Sequence, residues 1–148
     1  MTVIYYTKEG KFNARDMRWV NKKNLHRKNG PALILGNNDK FWYQFGKLHR
    51  LNGPASVYTC GLKSWHMNGK RHRENGPAVI WANGSSEWFI NGKRHRLSGP
   101  AVELLGERKE WFLNDVHLNK EEIETWIKGN NINLNTKKDQ TLFKLKFM

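Results

Sequence analysis

The sequence contains little of the material that a disulfide-bonded domain or a membrane protein needs. Cys60 is the one cysteine among 148 residues, so no disulfide can form within the chain. Hydrophobic residues make up 38% of the sequence, and no apolar run approaches the length of a transmembrane helix. The first residues lack the basic-then-apolar pattern of a secretory signal. These absences predict a soluble, cytoplasmic protein.

Acidic residues are also scarce. Asp and Glu number 13 against 26 Lys and Arg, which gives a formal net charge of +13. Such a surface attracts anions, and nucleic acid, an acidic protein surface and an anionic membrane all qualify. The charge is equally compatible with a solvated surface that has no partner, so it does not identify a function by itself.

Proline is rare, and its four copies all lie in one position of an internal repeat. Gly-Pro-Ala recurs every 23 residues, at 30–32, 53–55, 76–78 and 99–101. Tryptophan follows the same period, at Trp19, Trp42, Trp65, Trp88 and Trp111. Histidine follows it at His26, His49, His72 and His95. His117 comes one position early, which we interpret as a one-residue deletion. The chain is therefore predicted to be five tandem repeats.

Each repeat has the signals of a β-hairpin. Asn-Gly at 68–69 and 91–92 favours a tight turn, because both residues tolerate positive φ. The Gly-Pro-Ala segment predicts the start of the second strand, since proline has no N–H to donate. The predicted fold is all-β: a single-layer twisted antiparallel sheet of tandem β-hairpin repeats, ten strands long, with a short C-terminal α-helix cap. The tryptophans are expected to form a ladder on one face and a shallow core; the alternative is an exposed aromatic stripe on which nucleic-acid bases stack.

The ends of the chain are predicted to cap this array. We expect an N-terminal capping strand in 1–18, repeats in 19–117, and a helix followed by a strand in 118–148. Asn119 and Glu122 form a capping box, and an apolar stripe at Ile123, Trp126 and Ile127 predicts the helix. Alternating residues from Phe143 to Phe147 predict a strand that pairs with the last open edge.

The repeat resembles that of the MORN family, through Trp65, Asn68, Gly69, Lys70, His72 and Gly76 and the same positions one repeat later. The resemblance covers roughly 19–117. The common form has His-Gly-x-Gly where this chain has His-Arg followed by Gly-Pro-Ala, a variant similar to repeats in proteins of bacteriophages and large DNA viruses. The resemblance implies a protein-interaction or dimerisation scaffold, in the host cytoplasm if the protein is viral. Phosphoinositide binding has been proposed for some members.

The repeated histidines are not expected to bind metal. Equivalent positions in neighbouring repeats are two strands apart, about 9.6 Å, whereas zinc requires ligands about 2.1 Å from the ion. We expect each histidine to bond a turn backbone or to pack beside the next tryptophan. No metal and no cofactor is predicted.

The repeated basic residues are the candidate binding site. If they share a face, they form a basic stripe along the sheet, which would comprise Arg27, Arg50, Arg73, Arg96, Lys47, Lys70, Lys93, Arg71 and Arg94. Such a stripe could follow an acidic protein groove or a phosphate backbone. The competing interpretation is that each Arg stacks on an aromatic ring within the array.

The sequence offers little support for catalysis, because it has no phosphate-binding loop, paired carboxylates or zinc motif. The leading hypothesis is a non-enzymatic module that binds an acidic protein, such as a host protein. Nucleic-acid binding through the basic stripe and association with anionic lipid are the alternatives. The open sheet edges also allow a homodimer.

Overall fold

A computed structural model describes residues 3–14, 20–106 and 108–148. A 3-10 turn spans Lys22–Asn24, and the helices are α1 (Lys120–Gly129) and α2 (Lys137–Phe147). The strands are β1 (Val3–Thr7), β2 (Gly10–Ala14), β3 (Leu33–Ile34), β4 (Lys40–Phe41), β5 (Tyr43–Gln44), β6 (Lys47–Leu48), β7 (Ser56–Val57), β8 (Lys63–Ser64), β9 (His66–Met67), β10 (Lys70–Arg71), β11 (Val79–Ile80), β12 (Ser86–Glu87), β13 (Phe89–Ile90), β14 (Lys93–Arg94), β15 (Val102–Glu103), β16 (Lys109–Leu113) and β17 (Val116–Leu118).

The predicted fold class is confirmed: the protein is mostly β, with a large antiparallel sheet of hairpins and C-terminal helices. Eleven strands form the main sheet in the order β17-β16-β15-β12-β11-β8-β7-β4-β3-β1-β2. Within this sheet, the strand that follows a Gly-Pro-Ala segment has a neighbouring strand on each side. For example, β7 pairs with β4 on one side and with β8 on the other. The polar turns join these pairs, so the sheet grows by two strands with every repeat.

The tight turns belong to a second row of hairpins, which differs from the single ten-strand sheet expected. The pairs β5–β6, β9–β10 and β13–β14 are separate two-stranded sheets. Each repeat thus contributes two hairpins, and the tryptophan lies at the junction between them. The Trp42 amide donates to the Ala55 carbonyl of the main sheet (2.8 Å), while its carbonyl accepts from the His49 amide (3.0 Å). The chain therefore leaves the main sheet at Trp42, Trp65 and Trp88, whereas Trp111 lies within β16 of that sheet.

The turns of the second row have the backbone that the sequence predicts. Asn68 and Gly69 have φ of 52° and 84°, and Asn91 and Gly92 have φ of 52° and 87°. Both central residues of such a turn need positive φ, which asparagine and glycine adopt most readily. Phe45 is the exception, because it takes the asparagine position with φ of 50°.

The most deeply buried repeated residue is the alanine of Gly-Pro-Ala rather than the tryptophan. The four alanines at this position have no exposed surface: Ala32, Ala55, Ala78 and Ala101. Trp42, Trp65 and Trp88 are only partly buried, and Trp111 alone of the described ladder is buried. The expected tryptophan core is therefore wrong for three of these four rings. The alanines are enclosed because their backbone lies inside the sheet, whereas the tryptophans stand beside an open groove.

Tyr6 holds in the first repeat the place that tryptophan holds in the later repeats. The Tyr6 amide donates to the Ala32 carbonyl (2.8 Å), and its carbonyl accepts from the His26 amide (3.0 Å). Trp42 makes the same two bonds with the alanine and histidine of its own repeat. Trp19 lies outside the described residues. Strand β1 is thus a repeat strand, and β2 follows it as the outermost strand of the sheet.

The C-terminal segment contains two helices where one helix and a strand were expected. Helix α1 begins as predicted, because the Asn119 side chain accepts from the Glu122 amide (2.9 Å). The predicted strand over 143–147 is wrong, since these residues lie in α2. The alternation of Phe143 and Phe147 also fits an i, i+4 helical stripe, and Phe143 is fully buried against Trp111. None of the helices in the described residues is long and apolar enough to cross a bilayer.

Candidate interaction surface

In four repeats, the arginine that follows the repeated histidine has its guanidinium group over an aromatic ring of its own repeat. The distances from the guanidinium carbon to the ring centroid are 3.9 Å for Arg27 on Tyr6, 4.0 Å for Arg50 on Trp42, 4.1 Å for Arg73 on Trp65 and 3.8 Å for Arg96 on Trp88. In all four repeats Nη1 also donates to the proline carbonyl four residues later, at 3.0 to 3.2 Å. We call this arrangement the arginine clamp.

The glycine before each proline makes room for the clamp. A Cβ atom on Gly76 would lie 3.1 Å from Cζ of Arg73, and Gly53 shows the same distance to Arg50. Gly76 also has φ of 138°, a conformation that other residues rarely adopt. The Arg-x-x-Gly-Pro-Ala pattern thus specifies one structural unit. The guanidinium group packs on the aromatic ring, the glycine leaves space for it, and the proline carbonyl accepts a hydrogen bond from it.

Each histidine ties its repeat to the next tight turn. Nδ1 of His49 accepts from the Asn68 amide (3.2 Å), and Nδ1 of His72 accepts from the Asn91 amide (3.1 Å). His26 makes the same bond to the Phe45 amide at 3.3 Å. The three imidazoles thus join successive turns.

The fifth repeat has leucine where the others have histidine. Leu118 pairs with Trp111, and His117 pairs with Phe112, so the turn at Asn114 and Asp115 has its full length. The deletion inferred from His117 is therefore wrong. His117 takes the position of Arg94, with its ring centroid 4.9 Å from that of Phe112.

Of the nine basic residues of the predicted stripe, four form the arginine clamps, and the five in the tight-turn hairpins lie on two sides. In a hairpin, residues directly opposite each other project to the same side, so Lys47, Lys70 and Lys93 share a side with Gln44, Met67 and Ile90. The opposite side carries Arg71 and Arg94, which pair with His66 and Phe89. Arg94 is engaged there by Glu87, with Nε 2.8 Å from Oε2.

The three lysines form an exposed row along the tight turns. A Cβ on Gly69 would lie 3.7 Å from the Lys47 Cβ, and a Cβ on Gly92 would lie 3.6 Å from the Lys70 Cβ. Each of these two lysines therefore lies against the turn of the next repeat. We call Lys47, Lys70 and Lys93 the lysine row.

Three grooves follow one another at the first three junctions between repeats, and their linings include Gln44, Met67 and Ile90, which share a side with the lysine row. The first, about 350 Å³, has Lys28 and Trp42 among its lining residues. The second, about 510 Å³, includes Leu51 and Trp65, and the third, about 610 Å³, includes Trp88. The clamped arginines form walls of all three. Together the grooves and the lysine row define what we call the groove face.

Buried polar residues join the repeats elsewhere, and the sequence patterns did not identify them. The Asp39 carboxylate accepts from the Thr59 amide (2.7 Å), the Thr59 hydroxyl (2.9 Å) and the Asn37 side chain (3.0 Å). Burial alone would raise the pKa of Asp39, but these hydrogen bonds outweigh it and lower the pKa. Ser56 and Ser64 bond each other across neighbouring strands, 2.5 Å apart. These side chains occupy variable positions of the repeat, so periodicity does not reveal them.

We expect the protein to lose stability as the pH falls from 7.5 to 5. Burial lowers the pKa of His66, with a further effect from Arg71, and burial also lowers the pKa of His95. The unfolded chain, in which histidine titrates near 6.5, then binds more protons than the folded chain. The stabilisation that comes from keeping these two imidazoles neutral is fully present above about pH 6.5. It is lost as the pH falls through the lower pKa values that the two histidines have in the folded state.

Urea denaturation at pH 7.5 and at pH 5 measures this loss. Ordinary carboxyl groups remain mostly ionised at pH 5, so the difference between the two pH values reports mainly on the histidines. His66→Gln removes one titrating group and should reduce the difference between the two unfolding free energies. An unchanged difference in that variant would show that His66 does not contribute.

No group of three His, Cys, Asp or Glu residues within the described ranges is placed to hold a metal ion. Comparison of the chain with protein-family models, with curated proteins and with solved structures finds no match.

Proposed function

We propose that this protein is a non-enzymatic interaction module of MORN-like repeats whose groove face binds an acidic surface of a partner protein. The lysine row carries the proposal, because its three lysines are exposed, one in each of three successive repeats, beside a series of grooves. Complementary charge of this kind steers encounter and selects among partners. The use of MORN repeats as interaction scaffolds agrees with this function.

The arginine clamp favours a protein partner over a nucleic acid. Proteins that bind single strands without sequence preference offer aromatic ring faces on which bases stack. In Trp42, Trp65 and Trp88 one ring face is already covered by a guanidinium group. The same guanidinium groups donate to proline carbonyls, so they are partly engaged before any phosphate could reach them. The lysine row then remains as a set of point charges, which suits carboxylates.

The triple variant Lys47→Glu, Lys70→Glu, Lys93→Glu is expected to abolish binding of an acidic partner. A matched control, Lys128→Glu, Lys137→Glu, Lys138→Glu, makes the same change of net charge at exposed positions of the C-terminal helices. Fluorescence anisotropy with a labelled Glu-rich 20-residue peptide, titrated at about 50 and 150 mM salt, measures the affinity. We expect the lysine-row variant to lose at least tenfold, while the control retains most of the binding.

The same titrations with labelled single-stranded DNA, double-stranded DNA and RNA test the main alternative. We expect these probes to bind only at low salt, because nonspecific phosphate contacts weaken steeply as salt rises. Tight binding of one nucleic acid at 150 mM salt, with no binding of the acidic peptide, would overturn the proposed function. Sedimentation with anionic vesicles tests the lipid alternative in the same way.

A further inference from the structure

The last junction between repeats already holds an aromatic side chain. Phe143 of α2 is fully buried there, with its ring centroid 5.7 Å from that of Trp111. Leu97, Leu113 and Leu118 complete this apolar slot. The protein therefore shows, within its own chain, what the space beside a repeat tryptophan can accept: an aromatic ring presented by a helix.

The junction between the second and third repeats shares three of these four lining positions, has His72 in place of Leu118, and has no occupant from the described part of the chain. Two repeats earlier, the positions of Leu97, Trp111 and Leu113 are held by Leu51, Trp65 and Met67, and all three line the groove of about 510 Å³. Leu51 is 75% exposed. An exposed leucine beside a partly exposed tryptophan and a methionine is the composition that apolar docking sites have.

The other two open grooves are less suited to an apolar side chain. The first has Lys28 and Gln44 at the positions of Leu51 and Met67, and its volume is about 350 Å³. The third has Glu74 at the position of Leu51; Glu74 also lines the second groove, where Arg50 and Arg73 offset its charge. The second groove alone among these three has apolar side chains at all three of the positions that Leu97, Trp111 and Leu113 hold beside Phe143.

We propose that the groove lined by Leu51, Trp65 and Met67 receives an aromatic side chain from an acidic helix of the partner protein. This rests on the proposed function, and it adds the form of the ligand: an anchor ring flanked by carboxylates. Helices that dock by one apolar face into a groove are an established mode of recognition, and α2 packs in this way beside Trp111. Lys47 and Lys70 supply the charges that acidic residues on the helix would meet.

The α2 helix of a second copy fits this description poorly. It carries lysine at four positions, 137, 138, 144 and 146, against one acidic residue, Asp139. A second α2 would bring these ammonium groups toward the lysine row and be repelled. The same helix with its charges reversed would satisfy both requirements, which makes it a suitable probe.

The probe is a fluorescein-labelled peptide of residues 133–148 in which the four lysines are replaced by glutamate. Two matched peptides accompany it: the same acidic peptide with Phe143→Ala, and the natural lysine sequence. We expect the full-length protein to bind the acidic peptide at least tenfold more tightly than either of the others in fluorescence anisotropy. In 1H-15N spectra, the indole N–H signal of Trp65 should shift on titration, while that of Trp111, already covered by Phe143, should not.

The protein variant Leu51→Ser, Met67→Gln should weaken binding of the acidic peptide at least tenfold. Leu105→Ser, Leu145→Ser is the control, because both leucines are more than 70% exposed and lie away from the groove. If Leu51→Ser, Met67→Gln lowers the melting temperature, the Trp65 indole N–H signal of the unmodified protein still tests whether the acidic peptide binds in the second groove.

The outcomes separate this inference from the proposed function. Equal binding of the acidic peptide and its Phe143→Ala version, with loss in the lysine-row variant, would overturn the aromatic anchor and leave the acidic partner in place. Absence of binding by every acidic peptide at low salt would overturn both. A shift of Trp111 instead of Trp65 would show that the peptide displaces the protein's own helix, and it too would reject the second groove as the site.

Discussion

Replacing Phe143 with alanine is expected to lower the free energy of unfolding by about 3–5 kcal/mol, the usual cost of removing a fully buried phenylalanine. The ring has no exposed surface, and it contacts the rings of Trp111, Trp126 and Phe147 with centroids 5.7, 6.2 and 5.0 Å away. Loss of this ring leaves a cavity between α2 and the last repeat. Urea denaturation followed by tryptophan fluorescence and by far-UV circular dichroism measures the loss.

Leu145→Ala provides the control for this prediction. It lies on the same helix but is 76% exposed, so we expect a change within about 0.5 kcal/mol. A repeat array depends on its terminal caps, and the loss in the Phe143 variant should therefore reach the β-sheet signal as well as the helical one. If only the helical signal changes, the cap unfolds independently of the repeats and does not stabilise them.

The period of the sequence is sufficient to predict the repeats, because a β-array places identical residues in identical surroundings. Asn68-Gly69 and Asn91-Gly92 specify their turns locally through positive φ. The Asn119 cap and the apolar stripe of α1 are likewise local signals. Each of these features depends on residues within a few positions of one another, which is why a single sequence reveals them.

The features that the sequence does not reveal depend on contacts between distant segments. Tyr6 takes the tryptophan position of the first repeat because its amide bonds to the Ala32 carbonyl, and the 23-residue period of the sequence gives no sign of this. The Phe143 segment is helical because its ring packs on Trp111, whereas its alternating pattern favours a strand equally well. Leu118 replaces histidine where α2 covers the groove, and this becomes evident only after α2 is placed.

The arginine clamp explains why four repeats keep the same arginine, glycine and proline. A binding surface rarely needs every copy of a residue, whereas a contact inside each repeat does. The lysine row and the groove linings differ in this respect. Leu51 gives way to Lys28 in the first groove and to Glu74 in the third. Specificity for a partner is therefore better encoded in these variable positions than in the repeated arginines.

Exchanging Arg73 for lysine tests this separation directly. The variant keeps the positive charge, but we expect it to lose about 2 kcal/mol of stability, nearly as much as Arg73→Ala. A cation on an aromatic ring contributes about 0.5–2 kcal/mol, and a charged hydrogen bond contributes about 1.5–3 kcal/mol. Lysine lacks the planar group that makes both contacts at once, with the ring of Trp65 4.1 Å away and the Pro77 carbonyl at 3.1 Å.

Lys70→Ala is the matched control in the same repeat, because Lys70 is exposed on the lysine row. Equilibrium urea denaturation should place it within about 0.5 kcal/mol of the unmodified protein. Binding of the acidic peptide should show the reverse order: Lys70→Ala should weaken it more than Arg73→Lys at a temperature where both are folded. If Arg73→Lys is as stable as the unmodified protein, charge alone satisfies this position. The arginine clamp would then not explain why the arginine is repeated, and the four arginines would again be candidates for residues that contact the partner.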